Sequence, residues 1–289
     1  MLRAFLLLSS CATLIACAPA GPGESAELDP CQSGENALTE GNAEEAILAF
    51  EACLESTDLE PAEEAIIHTR LGGAYLFADR YEEALQAFNL AYAIAETQGA
   101  VFDNTFVRRN RGIARLATGD PDGALSDLEY AVAGLSGDIM TQLNLGRAYS
   151  ALGREAEAVV AFEAATRLEP EWAGGWVNLS ASFLELGMTD QAVDHARRAV
   201  ELSPESGFTL NMLCWALIVD EQFETALPLC DQAVAAEPEV GAIVHSRAAA
   251  LEGVGRMNEA RDAFARAHEL EPESEIITND YLRTRADND

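Results

Sequence analysis

From Ile139 onward, apolar and small residues fall on two alternating stripes. Counting that residue as position 1, Leu145, Gly146 and Tyr149 take positions 7, 8 and 11, and Ala158, Phe162 and Ala165 take 20, 24 and 27. Each set recurs at three- and four-residue steps, the spacing of one face of an α-helix. Gly153 at position 15 separates the stripes, and Pro170 at 32 ends the second. Glycine permits a turn between two helices, and proline stops a helix that would otherwise run on. The pattern predicts a hairpin of two antiparallel helices, with small residues at 8, 20 and 27 letting them approach closely.

The hairpin repeats. Pro170, Pro204, Pro238 and Pro272 are each 34 residues apart, and Ala158, Ala192, Ala226 and Ala260 keep the same step, as do Ala131, Ala165, Ala199, Ala233 and Ala267. This arrangement of Leu145, Gly146, Tyr149, Gly153, Ala158, Phe162, Ala165 and Pro170 resembles the tetratricopeptide repeat (TPR), a helix-turn-helix unit of this period. The resemblance implies an all-α fold, a right-handed TPR superhelix (α-solenoid) of about seven helix-turn-helix repeats plus a C-terminal capping helix. The solenoid is expected over residues 27–273, with units starting at Glu27, Ala65, Thr105, Ile139, Ala173, Gly207 and Gly241. The first two units are longer than 34, which predicts insertions near Leu59-Glu60-Pro61 and from Thr97 to Asp103. Residues 274–289, with Ile276, Ile277, Tyr281 and Leu282 ahead of an acidic end, are expected to form the capping helix and tail.

Met1 to Cys17 has one positive charge at Arg3 and two short apolar runs, the layout of a bacterial secretory signal and too interrupted for a good transmembrane helix. The tetrad Leu14-Ile15-Ala16-Cys17 resembles the lipobox of bacterial lipoproteins. That resemblance implies a signal peptide over 1–16 and an acylated Cys17. Ala18 after the cysteine favours delivery to the outer membrane, with the protein facing the periplasm. An ordinary signal cut near Ala18 or Ala20 is the other reading, and it leaves a soluble periplasmic protein. Residues 17–26 would hold the lipidated cysteine and a flexible Pro/Gly/Ser tether.

Charge narrows the partners. The chain of 289 residues carries 18 Lys+Arg, all of them arginine, against 49 Asp+Glu, a formal net charge of −31. Nothing in it could neutralise a run of phosphates, so nucleic acid is excluded as a partner. Its 49% hydrophobic content is ample for a core.

Catalytic constellations are lacking. His68, His195, His245 and His268 fall at positions 4, 23, 5 and 28 of their units, so no two share a helix face as a metal pair would. No phosphate loop, nucleophile elbow or haem motif occurs. The sequence implies no catalytic residue, no metal site and no cofactor, and hence no enzyme. Cysteines carry more information in an oxidising compartment. Cys214 and Cys230 occupy positions 8 and 24 of their unit, and Cys31 and Cys53 occupy 5 and 27 of theirs, facing positions in a symmetric hairpin. Two intra-repeat disulfides are expected, the alternative being small buried apolar side chains. Pro228, inside a second helix, should cost about 3 kcal/mol or kink the helix, and a cross-link at Cys230 would offset it.

In repeats of this family the first helix of each unit lines the inner wall, usually through positions 2, 5, 9, 12 and 13. The resemblance therefore implies a partner-binding groove containing Phe106, Arg109, Ile113, Met140, Leu143, Arg147, Val177, Phe208, Asn211, Trp215 and Ile218. Arg108, Arg109, Arg111, Arg115 and Arg147 make the one basic cluster. Two readings of it stand: a fork for a carboxylate on a partner peptide, or pairing with acids inside the stack. The lysine-containing carboxylate clamp of some chaperone-binding relatives is absent. The expectation is a non-catalytic scaffold lipoprotein of the bacterial cell envelope, whose groove holds protein or peptide partners and whose lipid anchor reaches the membrane. The alternative is a periplasmic binding protein or enzyme handling an anionic small molecule or cell-wall fragment in that groove.

Overall fold

The structure, a computed structural model, describes residues 29–56, 58–98 and 104–286. The signal, Cys17, the tether, the end of the second expected insertion and the last three residues lie outside the described residues. Among those described there are fifteen α-helices and no strand. The chain divides into two compact units, Met1–Leu135 and Ser136–Asp289.

Unit 1 holds α1 (Pro30–Glu40), α2 (Ala43–Ser56), α3 (Pro61–Phe77), α4 (Tyr81–Thr97), α5 (Thr105–Ala117) and α6 (Pro121–Gly134). They pack as consecutive hairpins, and each second helix also meets the next first helix. Proline opens α1, α3 and α6, where its missing N–H costs nothing. The start of the second hairpin departs from the 34-residue frame: α3 begins at Pro61, four residues ahead of Ala65. Glu60 and Glu63 account for this, because the Glu63 carboxylate accepts from the Glu60 N–H at 3.2 Å and adds a first turn where an insertion was expected. At the other end of this hairpin, α4 runs on to Thr97.

Unit 2 holds α7 (Ile139–Ala151), α8 (Glu155–Leu168), α9 (Ala173–Glu185), α10 (Thr189–Leu202), α11 (Gly207–Val219), α12 (Phe223–Ala236), α13 (Gly241–Gly253), α14 (Met257–Leu270) and α15 (Glu275–Ala286). Pro170, Pro204, Pro238 and Pro272 sit in the turns between successive hairpins. Within a hairpin the turn needs one left-handed residue. Gly153 supplies it at φ 69°, and Glu221 adopts φ 57° at the equivalent place without glycine's freedom.

Positions 8 and 24 set how closely the paired helices approach. Gly34, Gly72 and Gly146 face Phe50, Phe88 and Phe162, and a Cβ on any of the three would stand under 3 Å from the ring opposite. In the α9/α10 hairpin the partners are Ser180 and Ala196, and rings fill the space instead: His195 stacks on Trp176 at 5.6 Å and on Phe183 at 5.0 Å. In the α11/α12 hairpin the two positions are covalently joined as Cys214–Cys230, with Cα atoms 5.4 Å apart. Cys31 and Cys53 join α1 to α2 across 5.0 Å. Helix α12 runs on as a single helix through Pro228, two residues from the cross-link.

In unit 2, α9, α11 and α13 touch one another in succession, while the second helices pack onto first helices. Helices that meet directly lie on the shorter side of a curved stack, so the first helices form its inner wall. Ile277 of α15 covers the end of the core beside Val244 and Ala267.

Candidate functional site

Of the groove residues expected from sequence, Phe106, Arg109 and Ile113 belong to unit 1, and the other eight belong to unit 2. Arg109 is not presented to an occupant. It is 3% exposed, its guanidinium donates to Asn110 Oδ1 at 3.0 Å from both Nε and a terminal nitrogen, and it lies 5.5 Å from the Phe106 ring centroid.

The basic cluster of unit 1 is mostly structural. Asp127 of α6, 1% exposed, accepts from Arg111 at 2.7 Å on each oxygen and from Arg115 at 2.7 Å, with Arg108 at 3.6 Å. The Arg111 and Arg108 guanidinium groups also lie over the Tyr92 and Tyr130 rings, at 3.9 and 4.2 Å. Burial disfavours charge on Arg111, but the hydrogen bonds and charge of Asp127 outweigh it and raise its pKa. For these three arginines, pairing inside the stack is what the structure shows.

Unit 2 presents a different surface. Its second helices carry the acids: Glu155, Glu157 and Glu163 on α8, Asp190, Asp194 and Glu201 on α10, and similar sets on α12 and α14. The first helices carry almost none. Helices α7 and α11 have no acidic residue, α9 has only its last, Glu185, and α13 has only Glu252. Glu252 is in turn gripped by Arg283 at 2.6 and 2.8 Å. Those hydrogen bonds outweigh the burial that opposes them and raise the Arg283 pKa.

On this wall Leu143 is buried in the core, while Met140, Val177, Asn211, Trp215 and Ile218 are partly exposed. Phe208 is 59% exposed, a large share for an aromatic ring. Toward α15, His245 bonds Asp280 Oδ2 at 2.8 Å, and its ring lies 6.1 Å from that of Trp215.

Arg147 is the exposed cation of the wall. Among the described residues it has no hydrogen bond or ion pair, whereas Arg154, Arg247, Arg256, Arg266 and Arg283 all hold carboxylates. It borders an open cavity of about 310 Å³ lined also by Ser150, Ala151, Phe162, Asn178, Ala181 and Ser182. Sequence reasoning selected large side chains and missed Ala181, whose small size opens the space beside Arg147. Among the described residues no group of three or more His, Cys, Asp or Glu is placed to hold a metal, and no helix is long and apolar enough to cross a membrane.

Comparison with known proteins agrees with this architecture. The family profile described as tetratricopeptide repeat matches residues 31–99 and 143–207. No curated protein matches the chain. Among solved structures, a tetratricopeptide repeat protein from Parabacteroides merdae superposes with a TM-score of 0.69 at 14% identity, covering 89% of this chain and 97% of that one. A thermophilic protein of the same kind from Thermus thermophilus gives 0.56 at 21% identity, over 63% of this chain and 100% of that one. The Cut9–Hcn1 hetero-tetramer of APC/C gives 0.66 at 14% identity, over 90% of this chain and 49% of that one. At these identities the likeness is one of fold.

Proposed function

The chain is a tetratricopeptide-repeat protein, and we propose that it is a non-catalytic scaffold holding a segment of a partner protein against the first helices of unit 2. The observation that carries this reading is the segregation of charge: in a chain of net charge −31, α7, α9 and α11 bring one carboxylate, Glu185, to the inner wall. A surface stripped of like charge, with Phe208 and Trp215 partly open, suits an apolar or acidic polypeptide segment that the outer face would repel. The position is further proposed to be the bacterial outer membrane, facing the periplasm. There an acyl group on Cys17 would tether the scaffold beside envelope complexes in assembly, a reading supported by the tetrad Leu14-Ile15-Ala16-Cys17.

Purification from detergent-solubilised membranes tests both parts. The wild type should incorporate labelled palmitate and bring down one polypeptide in fixed ratio. Cys17→Ala should lose the label, and Phe208→Glu should lose the polypeptide while keeping the label. Recovery of the chain alone, together with turnover of cell-wall fragments, would favour a small-molecule function instead.

A further inference from the structure

Side-chain size alternates along the wall of unit 2. The ninth residues of α7, α9, α11 and α13 are Arg147, Ala181, Trp215 and Ala249, so long side chains stand on alternate helices with alanines between them. Arg147 and Ala181 line the same cavity, and α9 touches α11. At least two helix steps, each about 8–10 Å where helices pack directly, therefore separate the Arg147 register from that of Trp215.

Resting on the reading of this wall as a segment-binding surface, we propose that it selects an extended peptide with an Asp or Glu side chain about six residues from an apolar one. The carboxylate seats in the cavity beside Arg147, and the apolar side chain packs against Trp215 and Phe208. An extended chain advances about 3.3 Å per residue and turns every second side chain to the same face. Residues i and i+6 thus point at the wall together, roughly 20 Å apart. A carboxylate is singled out because Arg147 alone brings unpaired positive charge to this surface among the described residues, and its planar fork suits a carboxylate. Asn178 and Ser182 line the same cavity and offer further polar contacts. The Ser150 hydroxyl on the rim already donates to Glu155 Oε1 at 2.7 Å, which leaves Arg147 as the group that distinguishes a carboxylate there.

Selection of random twelve-residue peptides displayed at the N-terminus of a phage coat protein, on the folded, oxidised protein, tests this, since such peptides offer side-chain but no terminal carboxylates. The wild type should enrich sequences with Asp or Glu about six positions from Leu, Phe or Trp, despite its strongly negative charge. Changing the selected Asp to Asn should weaken binding about tenfold. Arg147→Gln should erase that difference while the apolar preference persists. Ala181→Leu, which fills the cavity and leaves the charge, should do the same. Apolar enrichment without carboxylates, or carboxylate enrichment indifferent to Arg147→Gln, overturns the inference and leaves segment binding standing. Recovery of no sequence that depends on Trp215, judged with Trp215→Ala, removes both.

Discussion

Arg111 holds both carboxylate oxygens of Asp127 at 2.7 Å, from opposite helices of one hairpin. Asp127 is 1% exposed and serves Arg108 and Arg115 as well. Removing one member of such a network leaves uncompensated buried charge, which costs about 3–5 kcal/mol. Asp127→Asn should therefore lower the stability of unit 1 by several kcal/mol in urea titrations followed by circular dichroism. An unchanged midpoint would mean that water already screens these arginines.

Gly72 and Gly73 are neighbours in α3 with opposite expectations. A Cβ at Gly72 would stand 2.8 Å from the Phe88 ring, whereas at Gly73 it meets nothing within 4 Å. Gly72→Ala should destabilise by about 1–3 kcal/mol through overpacking. Gly73→Ala should stabilise by about 0.5–1 kcal/mol, because alanine loses less backbone freedom on entering a helix. Thermal unfolding of the two variants should move in opposite directions, and a common direction would contradict the hairpin packing.

The Cys214–Cys230 bond closes a loop with a sequence separation of 16 in the hairpin that also contains Pro228. On loop-closure grounds it contributes about 3 kcal/mol. Reduction, or replacement of both cysteines by alanine, should lower the unfolding midpoint, and Pro228→Ala should restore part of the loss. If reduction leaves the midpoint unmoved, the cross-link does not stabilise this hairpin.

His195 is half-buried between Trp176 and Phe183, and burial lowers its pKa from the ordinary 6.5, with Asp194 and Glu163 opposing in part. The unfolded chain therefore binds this proton more readily than the folded one. Stability rises with pH across the window between the lowered value and 6.5, and falls as pH drops through it. His68 adds a shift of the same sign, with burial again the main cause. Unfolding midpoints measured from pH 5 to 7.5 should show this slope, and His195→Gln should flatten it. A slope identical in the variant would place the pH dependence elsewhere.

The hairpins were legible because glycine and proline act locally: Pro170 and its three equivalents must end a helix wherever they stand. The early start of α3 was not, since a fixed period hides the extra turn that Pro61 and Glu63 add. The arginine cluster was legible as a cluster but its purpose was not. The deciding residue is Asp127, an acid on the same helix stripe as Ala124, Leu128 and Ala131, all buried. A carboxylate on a core stripe demands buried cations, and that signal stood in the sequence. Arg147 lacks such a counterpart, and the cavity beside it depends on the smallness of Ala181, which only packing reveals.

The central claim is that the inner wall of unit 2, and not its acidic outer face, meets a partner. Site-specific photo-crosslinking in cells tests it most directly, with the reactive side chain placed at Phe208 on α11 or at Val160 on α8, which are 59% and 63% exposed. The account predicts a discrete cross-linked polypeptide from Phe208 and none from Val160. Cross-links from Val160 alone would contradict it.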